Sequence, residues 1–390
     1  MARLARSIAR LSTESAFEVL VKARAVEATG KQVIHLEIGE PDFPTPAHIS
    51  EAGIEALQSG ATHYTPPAGI PELREAIAED AGRRRAISVR PSEVVVTPGA
   101  KPIMFFGLLA VVEPGDEVIY PDPGFPIYQS VISYIGARPV PIALREPTGF
   151  SFDLDQLRAS VSDRTRLIIL NSPQNPTGGV LAKGALEAIA ELAQRHDCWI
   201  LSDEIYSRLL YDGEHASVAA LPGMRERTII LDGFSKTYAM TGWRLGYGIM
   251  PEHLAEAVAL LMVNSASCTA SFTQLAGVAA LRGPQQPVDD MLAEFRARRQ
   301  LVVEGLNAIP GITCPWPAGA FYAFPNVAAL GLPSSELAER LLQNYGVATL
   351  SGSSFGAAGE GYLRLSYANS RDNLREALRR IEAAAKSLLA

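Results

Sequence analysis

The chain has 390 residues, of which 47% are hydrophobic and 20% are charged, and 35 basic against 42 acidic side chains give a net charge of −7. This is the composition of an ordinary globular protein, and the length allows about two domains around a large core. The acidic balance and the lack of a basic, aromatic-rich module argue against a nucleic-acid partner. The longest apolar run, residues 102–112, is too short to cross a bilayer, so no membrane partner is expected.

The cysteines and the N-terminal segment indicate the cellular compartment in which the protein is expected. Cys198, Cys268 and Cys314 are far apart and form neither a zinc pattern nor a disulfide framework. We therefore expect a reducing environment and no metal site. The segment before Glu14 carries arginines and no acidic residue, which could imitate a transit peptide. We interpret it as an N-terminal arm of a cytoplasmic protein.

Short apolar runs rich in β-branched residues alternate with helical patterns along most of the chain. Helices are predicted at residues 15–28, 100–112, 126–135 and 184–196. Strands are predicted at residues 94–97, 117–121, 139–144, 166–171, 198–203, 228–232 and 244–250. This alternation indicates an α/β protein with a mostly parallel sheet covered by helices on both faces.

The pattern changes near residues 284–287, which suggests a second, smaller α+β domain. The later elements are predicted as a long charged helix at 288–306, strands at 320–324 and 362–366, and a helix at 372–388. The predicted boundaries are 1–46 for an N-terminal arm with part of the small domain, 47–287 for the large domain, and 288–390 for the small C-terminal domain.

Residues able to do chemistry follow several predicted strands. They are the turn at residues 97–99, the segment 171–175, Asp203 and Lys236. Parallel sheets bind ligands in the crevice at the carboxyl ends of their strands. The sequence therefore predicts a ligand site at this edge of the sheet.

Lys236 and Asp203 match the needs of pyridoxal phosphate. A lysine amine with a lowered pKa can condense with the cofactor aldehyde as an internal aldimine, and can later carry a proton. A buried aspartate can keep the pyridine nitrogen protonated, so that the ring accepts electrons. Taken alone, Lys236 could be a surface residue and Asp203 a helix N-cap.

Further polar residues suit the oxygen atoms of the same cofactor. Tyr206 and Asn175 can reach its phenolic oxygen, although Asn175 also lies in a plain turn sequence. Gly99 and Ala100 open a helix whose N–H groups can bind phosphate, and Arg244 offers a fork of donors to the same anion. A lone arginine could equally form a surface ion pair.

Three residues suit the cofactor ring and the substrate. Phe125 could stack on the ring or belong to the core. Arg364 lies in an otherwise apolar strand, where a buried guanidinium demands an anion such as a substrate α-carboxylate, unless it faces solvent. Gly39 allows close backbone approach to that carboxylate, or simply forms a turn.

Together these segments resemble the class I/II pyridoxal-phosphate aminotransferases of fold type I, especially the bacterial aspartate aminotransferase-like branch. The resemblance rests on I-G-E-P-D-F-P-T-P, H-Y-T-P-P-A-G-I-P-E-L-R, N-S-P-Q-N-P-T-G, S-D-E-I-Y, S-K-T-Y-A-M-T-G-W-R-L-G and G-Y-L-R-L-S-Y-A, in family order. It implies a large domain with a mostly parallel seven-stranded sheet sandwiched by helices, plus a smaller α+β domain. It also implies pyridoxal 5′-phosphate, amino acid and 2-oxo acid substrates, ping-pong transfer, and a homodimer with shared active sites.

The resemblance also implies a role for each matching residue. The catalytic residues are Lys236, Asp203 and Tyr206. The cofactor-binding residues are Tyr64, Gly99, Ala100, Lys101, Phe125, Asn175, Asp203, Tyr206, Lys236 and Arg244. The substrate-binding residues are Gly39, Lys101, Asn175 and Arg364. Tyr64 corresponds to a tyrosine that reaches the phosphate of the neighbouring subunit.

Two further positions are informative. Gly233 departs from the family pattern, and Lys101 bears on which amino donor the enzyme uses. Many relatives carry a phosphate-binding serine where this chain has Gly233, and Ser235 could compensate. Lys101 matches a lysine that in one branch contacts the distal carboxylate of acidic substrates. This match supports the hypothesis of an aspartate or glutamate donor with 2-oxoglutarate as acceptor, whereas a solvated lysine at a helix start is the alternative.

Other functions remain open at this point. A β-lyase, a decarboxylase or an oxidase could share these residues, because the cofactor performs the chemistry. A nicotinamide oxidoreductase is disfavoured, because no G-x-G-x-x-G follows the first strands. A cofactor-binding regulator would need a DNA-binding module, for which the chain has no spare length.

Overall fold

The structure of the chain, a computed structural model, describes residues 3–390. The β-strands of this part are β1 (Ile34–His35), β2 (Val94–Thr97), β3 (Glu117–Asp122), β4 (Arg138–Ala143), β5 (Thr165–Asn171), β6 (Trp199–Asp203), β7 (Thr228–Gly233), β8 (Gly246–Ile249), β9 (Tyr322–Ala323), β10 (Val347–Ala348), β11 (Leu350–Ser351) and β12 (Leu363–Ser366).

The α-helices cover both faces of the main sheet and form most of the remaining layers. They are α1 (Ser15–Glu27), α2 (Ala47–Gln58), α3 (Pro71–Arg85), α4 (Lys101–Val111), α5 (Ile127–Ile135), α6 (Leu154–Ser160), α7 (Lys183–Arg195), α8 (Phe234–Thr237), α9 (Glu252–Val263), α10 (Ser271–Arg282), α11 (Gln286–Asn307), α12 (Ser334–Arg340) and α13 (Arg371–Leu389).

Local sequence explains several helix ends. Pro71 takes the first position of α3, where its missing N–H costs nothing. The side chain of Ser370 caps α13 by accepting the N–H of Asn373 at 3.2 Å. Helix α5 stops at Gly136, which has the left-handed φ of 87° that glycine tolerates best. These helices therefore begin and end for local reasons that the sequence contains.

The main sheet has seven strands in the order β2-β8-β7-β6-β5-β3-β4. All neighbours are parallel except β8, which is antiparallel to both β2 and β7. Strands β2, β3 and β7 are buried along their whole length, as expected for a sheet with helices on both faces. The predicted α/β architecture with a mostly parallel seven-stranded sheet is confirmed.

The strand register brings the chemical residues to one edge. Asn171 lies beside Asp203, and Asp203 lies beside Leu231, at the carboxyl ends of β5, β6 and β7. The turn after β7 then carries Lys236. Because β8 runs antiparallel, its start meets the end of β2, where Thr97 pairs with Gly246. The segments before β8 and after β2 therefore reach the same edge.

The remaining strands form two small sheets. Strand β1 pairs with β10 in parallel, so a segment near the N-terminus joins one near the C-terminus. Strand β12 lies between β11 and β9, antiparallel to both. Long helices α11 and α13 pack against each other nearby. The domain boundaries given above stay a prediction.

Two strands are shorter than expected. The strand predicted at 320–324 is limited to Tyr322–Ala323, the residues that pair with β12. The strand predicted from residue 244 begins at Gly246, because Arg244 has a left-handed φ of 54°. Strand pairing sets the first difference and a backbone turn sets the second, and the hydrophobic pattern of the sequence does not contain either.

Within residues 3–390, no helix is both long enough and apolar enough to span a bilayer.

A buried ion-pair network lies behind the site. Arg85, the last residue of α3, donates from Nε to Glu204 at 2.6 Å and from Nη2 to Asp232 at 2.5 Å. The side chains of Arg85 and Glu204 are each only 1% exposed. Burial alone would raise the pKa of Glu204, but the charges of Arg85 and His215 hold it well below its usual range. Arg85 thus compensates two carboxylates that the core could not otherwise hold.

We expect Arg85→Ala to lower the free energy of unfolding by about 3–5 kcal/mol, because it leaves Glu204 and Asp232 buried without their cation. Arg83→Ala is the matched control: it removes an arginine of the same helix that is 73% exposed and pairs only with Asp80, which is worth about 0–1 kcal/mol. Urea titrations followed by circular dichroism measure both. Equal losses for the two variants would contradict the role of Arg85.

Candidate active site

A cavity of about 490 Å³ opens at the carboxyl edge of the main sheet. Most of the predicted site residues line it: Gly39, Ala100, Lys101, Phe125, Asn175, Asp203, Tyr206, Lys236, Arg244 and Arg364. Gly99 lies directly against Arg244. Tyr64 is the exception, because its side chain is 91% exposed and lies outside the cavity of its own chain.

Lys236 lies in the one-turn helix α8 that follows β7. Its Nζ donates to the backbone oxygen of Gly39 at 2.5 Å. Burial of the amine lowers its pKa to about 8, with help from Arg364 and Arg244, while the charges of Glu40 and Glu14 oppose the shift. A larger share of the amine is therefore neutral near pH 7 than in an ordinary lysine, which makes it a better nucleophile and base.

Asp203 ends β6 as a buried carboxylate that faces the cavity. Tyr128 donates to its Oδ2 at 2.6 Å, and the backbone N–H of Ile205 donates to its Oδ1 at 3.2 Å. Burial raises its pKa to about 6 against the effect of these two hydrogen bonds. The carboxylate thus stabilises the local turn. No cationic side chain within residues 3–390 forms an ion pair with it, and a ligand cation in the cavity would be well placed to do so.

The start of α4 and Arg244 form a candidate anion site. Gly99 has a φ of 88°, and a Cβ there would lie 2.2 Å from Nη2 of Arg244. Ala100 precedes the first residue of α4, so unpaired helical N–H groups are available beside it. Arg244 is oriented by a hydrogen bond from Nη1 to the backbone oxygen of Thr241 at 2.8 Å. A guanidinium beside a helix N-terminus is suited to phosphate.

Position 233 lies close to the neighbouring strand. A Cβ on Gly233 would lie 3.0 Å from Cα of Gly246, so a serine would need the backbones of β7 and β8 to move by a few tenths of an ångström. Ser235 lines the cavity, two residues further on. A serine therefore lines the same cavity as Arg244, although it comes from a different position.

Arg364 is buried in β12 with donors to spare. Its Nη1 donates to Asn175 at 3.4 Å, its Nη2 donates to the backbone oxygen of Glu37, and its Nε has no partner within residues 3–390. Its Cζ lies 4.6 Å from the ring centre of Tyr322. A buried guanidinium with an unused donor that lines the cavity is suited to a carboxylate.

Gly39 has no room for a side chain. A Cβ there would lie 2.2 Å from the hydroxyl of Tyr322, which is itself 2.7 Å from the hydroxyl of Tyr206. The backbone of Gly39 can therefore approach the cavity only because the residue lacks a Cβ.

Lys101 lies at the mouth of the cavity as the first residue of α4. Its Nζ forms an ion pair with Glu14 and lies 5.3 Å from the ring centre of Phe125. Lys101 is therefore neither fully solvated nor unpaired.

Sequence reasoning missed several residues of the site: Glu14, Glu40, Tyr128, Thr241 and Tyr322. A signal for Tyr128 was present, because it lies three residues after Phe125, about one helical turn away. Tyr322 lies in a predicted strand, but no local pattern indicates that it meets Tyr206 and Arg364.

Comparison with known proteins agrees with this geometry. A family model described as Aminotransferase class I and II matches residues 31–381. The chain is 44% identical to an aspartate aminotransferase of Pyrococcus abyssi over 92% of both chains. It is 43% identical to aromatic-amino-acid aminotransferase 2 of Thermococcus litoralis over 90% of this chain and 91% of that protein. The aspartate aminotransferase from Thermus thermophilus with maleate has a TM-score of 0.94 and 39% identity, covering 98% of this chain and 100% of that chain.

The fold and the cavity are those of a fold type I enzyme that uses pyridoxal phosphate. The chain belongs to the class I and II aminotransferases and moves an amino group from an amino acid to a 2-oxo acid. The predicted family, enzyme class and cofactor are confirmed.

We expect Tyr128→Phe to weaken pyridoxal phosphate binding to the apoenzyme about tenfold, since a hydrogen bond to a charged group contributes about 1.5–3 kcal/mol. The lost hydrogen bond favours the carboxylate, so the pKa of Asp203 rises above about 6. As the pH is lowered, Asp203 of the variant is protonated earlier, so cofactor binding should begin to weaken at a higher pH than in the wild type. Fluorescence titration of the apoenzyme against pH measures both effects.

Tyr134→Phe is the matched control, because Tyr134 lies on the same helix but stacks beside Phe105 rather than bonding to Asp203. It should leave the pH profile unchanged. A wild-type profile for Tyr128→Phe would contradict the role of the Tyr128 hydroxyl.

Proposed function

We propose that pyridoxal phosphate binds in this cavity through three complementary charges. Asp203 pairs with the pyridine nitrogen, Lys236 binds the aldehyde carbon, and Arg244 with the start of α4 binds the phosphate. The observation that carries this proposal is that a buried carboxylate, an amine with a pKa of about 8 and a guanidinium at a helix start line the same cavity. The tight contact between Gly99 and Arg244 also fits an anion site.

The other site residues take the roles that their contacts support. Tyr206 and Asn175 hydrogen-bond the phenolic oxygen of the cofactor, and Phe125 packs on its ring. Arg364 binds the donor α-carboxylate, with the backbone of Gly39 beside it. The position of Arg364, a buried guanidinium in the wall of the cavity, supports this assignment. So does the hydrogen bond between Arg364 and Asn175, because it links the carboxylate-binding group to the cofactor pocket.

When bound, the cofactor supplies an aldehyde that condenses with amines and a ring that withdraws electrons from the donor α-carbon. The protein supplies orientation and proton transfer. Arg364 fixes the donor by its carboxylate, so that the α-hydrogen points toward one side. Lys236, partly neutral near pH 7, takes the α-proton and later returns a proton. Buried Asp203 keeps a negative charge where a cationic ring needs it.

The two substrates use the same cavity in turn. We therefore expect ping-pong kinetics, in which the first 2-oxo acid leaves before the second enters. A β-lyase with the same residues would release ammonia without any 2-oxo acid acceptor. Dependence of turnover on the acceptor therefore distinguishes the two reactions.

We also propose an aspartate or glutamate donor with 2-oxoglutarate as acceptor. The support is that Lys101 lines the cavity, where its charge can meet a distal carboxylate. The relatives are named for both aspartate and aromatic donors, so family membership leaves the donor open.

A cytoplasmic homodimer is the proposed form of the enzyme. Several large apolar side chains are exposed on one chain, among them Phe17, Val21 and Leu260, and Tyr64 is exposed outside the cavity of its own chain. A second copy would cover such residues and could receive Tyr64 at its phosphate site. Cys198, Cys268 and Cys314 are free thiols, which suits a reducing compartment. Sedimentation velocity of the holoenzyme tests the dimer.

Lys236→Ala should lose turnover by at least about 10²–10⁴-fold, the usual contribution of a positioned proton-transfer group. It should also lose the covalent cofactor, which is measured by borohydride reduction followed by mass spectrometry of the peptide around residue 236. The control is Lys183→Ala, at an exposed lysine at the start of α7. A Lys236→Ala enzyme that is active and still traps cofactor would disprove the assignment.

A further inference from the structure

One ion pair, between Lys101 and Glu14, lines the cavity in addition to the three charges proposed for the cofactor. Lys101 is the first residue of α4, where the positive end of the helix dipole disfavours a cation. Its ammonium group therefore gains from a nearby anion, and Glu14 provides one from a segment 87 residues away in sequence. Both residues line the same cavity as Asp203, Lys236 and Arg244, the groups proposed for the cofactor, so the pair borders the space that a donor must enter.

Glu14 can leave this pair at little cost. It occupies the N-cap position of α1, but its side chain makes no capping hydrogen bond. The side chains of Glu14 and Lys101 are 17% and 50% exposed, and an ion pair with this access to water is weak. Glu40, the other carboxylate at the mouth, accepts a hydrogen bond from Thr241 at 2.9 Å. Glu14 is therefore the carboxylate that loses only its ion pair with Lys101 when it moves away.

Apolar side chains accompany this pair. The ring centre of Phe125 lies 5.3 Å from Nζ of Lys101, Met104 follows Lys101 by about one helical turn, and Phe17 follows Glu14 by three residues; all three line the cavity. An uncharged donor side chain would pack against these groups, but an unpaired lysine beside it would be unfavourable. An acidic substrate has the opposite need, because its distal carboxylate requires the lysine.

We propose that Glu14 is a displaceable counter-ion of Lys101 that lets one subsite accept both uncharged and acidic side chains. With an uncharged substrate, Glu14 stays on Lys101. With an acidic substrate, the distal carboxylate replaces the Glu14 carboxylate, which turns toward solvent. This inference rests on the proposed binding of the donor by Arg364, and it makes Glu14 a specificity-determining residue.

The test compares two unreactive ligands of the holoenzyme by isothermal titration calorimetry. Maleate carries two carboxylates, and hydrocinnamate carries one carboxylate and an apolar ring. Glu14→Gln should lower the Kd of maleate about fivefold, because the ligand no longer competes with an ion pair of about 1 kcal/mol. The Kd of hydrocinnamate should change less than about twofold, since its ring does not use Lys101.

Two further variants show whether the effect passes through Lys101. Lys101→Met should weaken maleate binding, and adding Glu14→Gln to it should have no further effect. Glu18→Gln is the matched control, because it removes the same charge from an exposed position of α1 outside the cavity. It should leave both Kd values unchanged.

Four results would overturn the inference. They are an unchanged or raised maleate Kd in Glu14→Gln, equal tightening of both ligands, persistence of the effect without Lys101, and a wild-type holoenzyme that does not bind maleate. None of these measurements requires turnover. Failure of the proposed transamination would instead appear as no acceptor-dependent product with any donor, so the two failures are distinguishable.

Discussion

Two adjacent buried carboxylates at the end of β6 set the conditions for the rest of the site. Glu204 is compensated from behind by Arg85 and also accepts a hydrogen bond from Ser217 at 2.6 Å. Asp203 lines the cavity and receives only neutral donors, from Tyr128 and the Ile205 backbone. The core thus neutralises one charge and leaves the other for a ligand. Because Glu204 is paired with Arg85 and Asp203 faces the cavity, the sheet holds both carboxylates without the full desolvation penalty of two unpaired buried charges.

The other site residues meet Asp203 at the carboxyl edge of the main sheet. The parallel strands β6 and β7 bring Asp203 and the turn that carries Lys236 to the same cavity, and Arg244, just before the antiparallel β8, reaches the same edge. Arg364 arrives from a different sheet and is linked to the site through Asn175 and the ring of Tyr322. Groups held by strands and buried contacts keep fixed positions, which a reaction with strict orientation needs.

The two ends of the cavity differ in how firmly their charges are held. The inner end has buried groups such as Asp203 and Arg364, each held by two hydrogen bonds, whereas the mouth has a partly exposed ion pair between Glu14 and Lys101. A firmly held inner end and a loosely held mouth are consistent with one reaction that accepts different substrates. Related enzymes named for aspartate and for aromatic amino acids share about the same identity with this chain. Differences at the mouth can therefore change the donor without changing the cofactor site.

The sequence by itself determined the elements and the residues at their ends. Runs such as 94–97 and 228–232 are continuous and β-branched, and Asp203 and Lys236 follow such runs directly, so local pattern was sufficient. Tertiary structure alone decided that Tyr128 bonds to Asp203, that Tyr322 joins Tyr206 to Arg364, and that Glu14 pairs with Lys101. These contacts join residues far apart in the chain. Their existence depends on how helices and sheets pack, which the periodicity of any one segment does not contain.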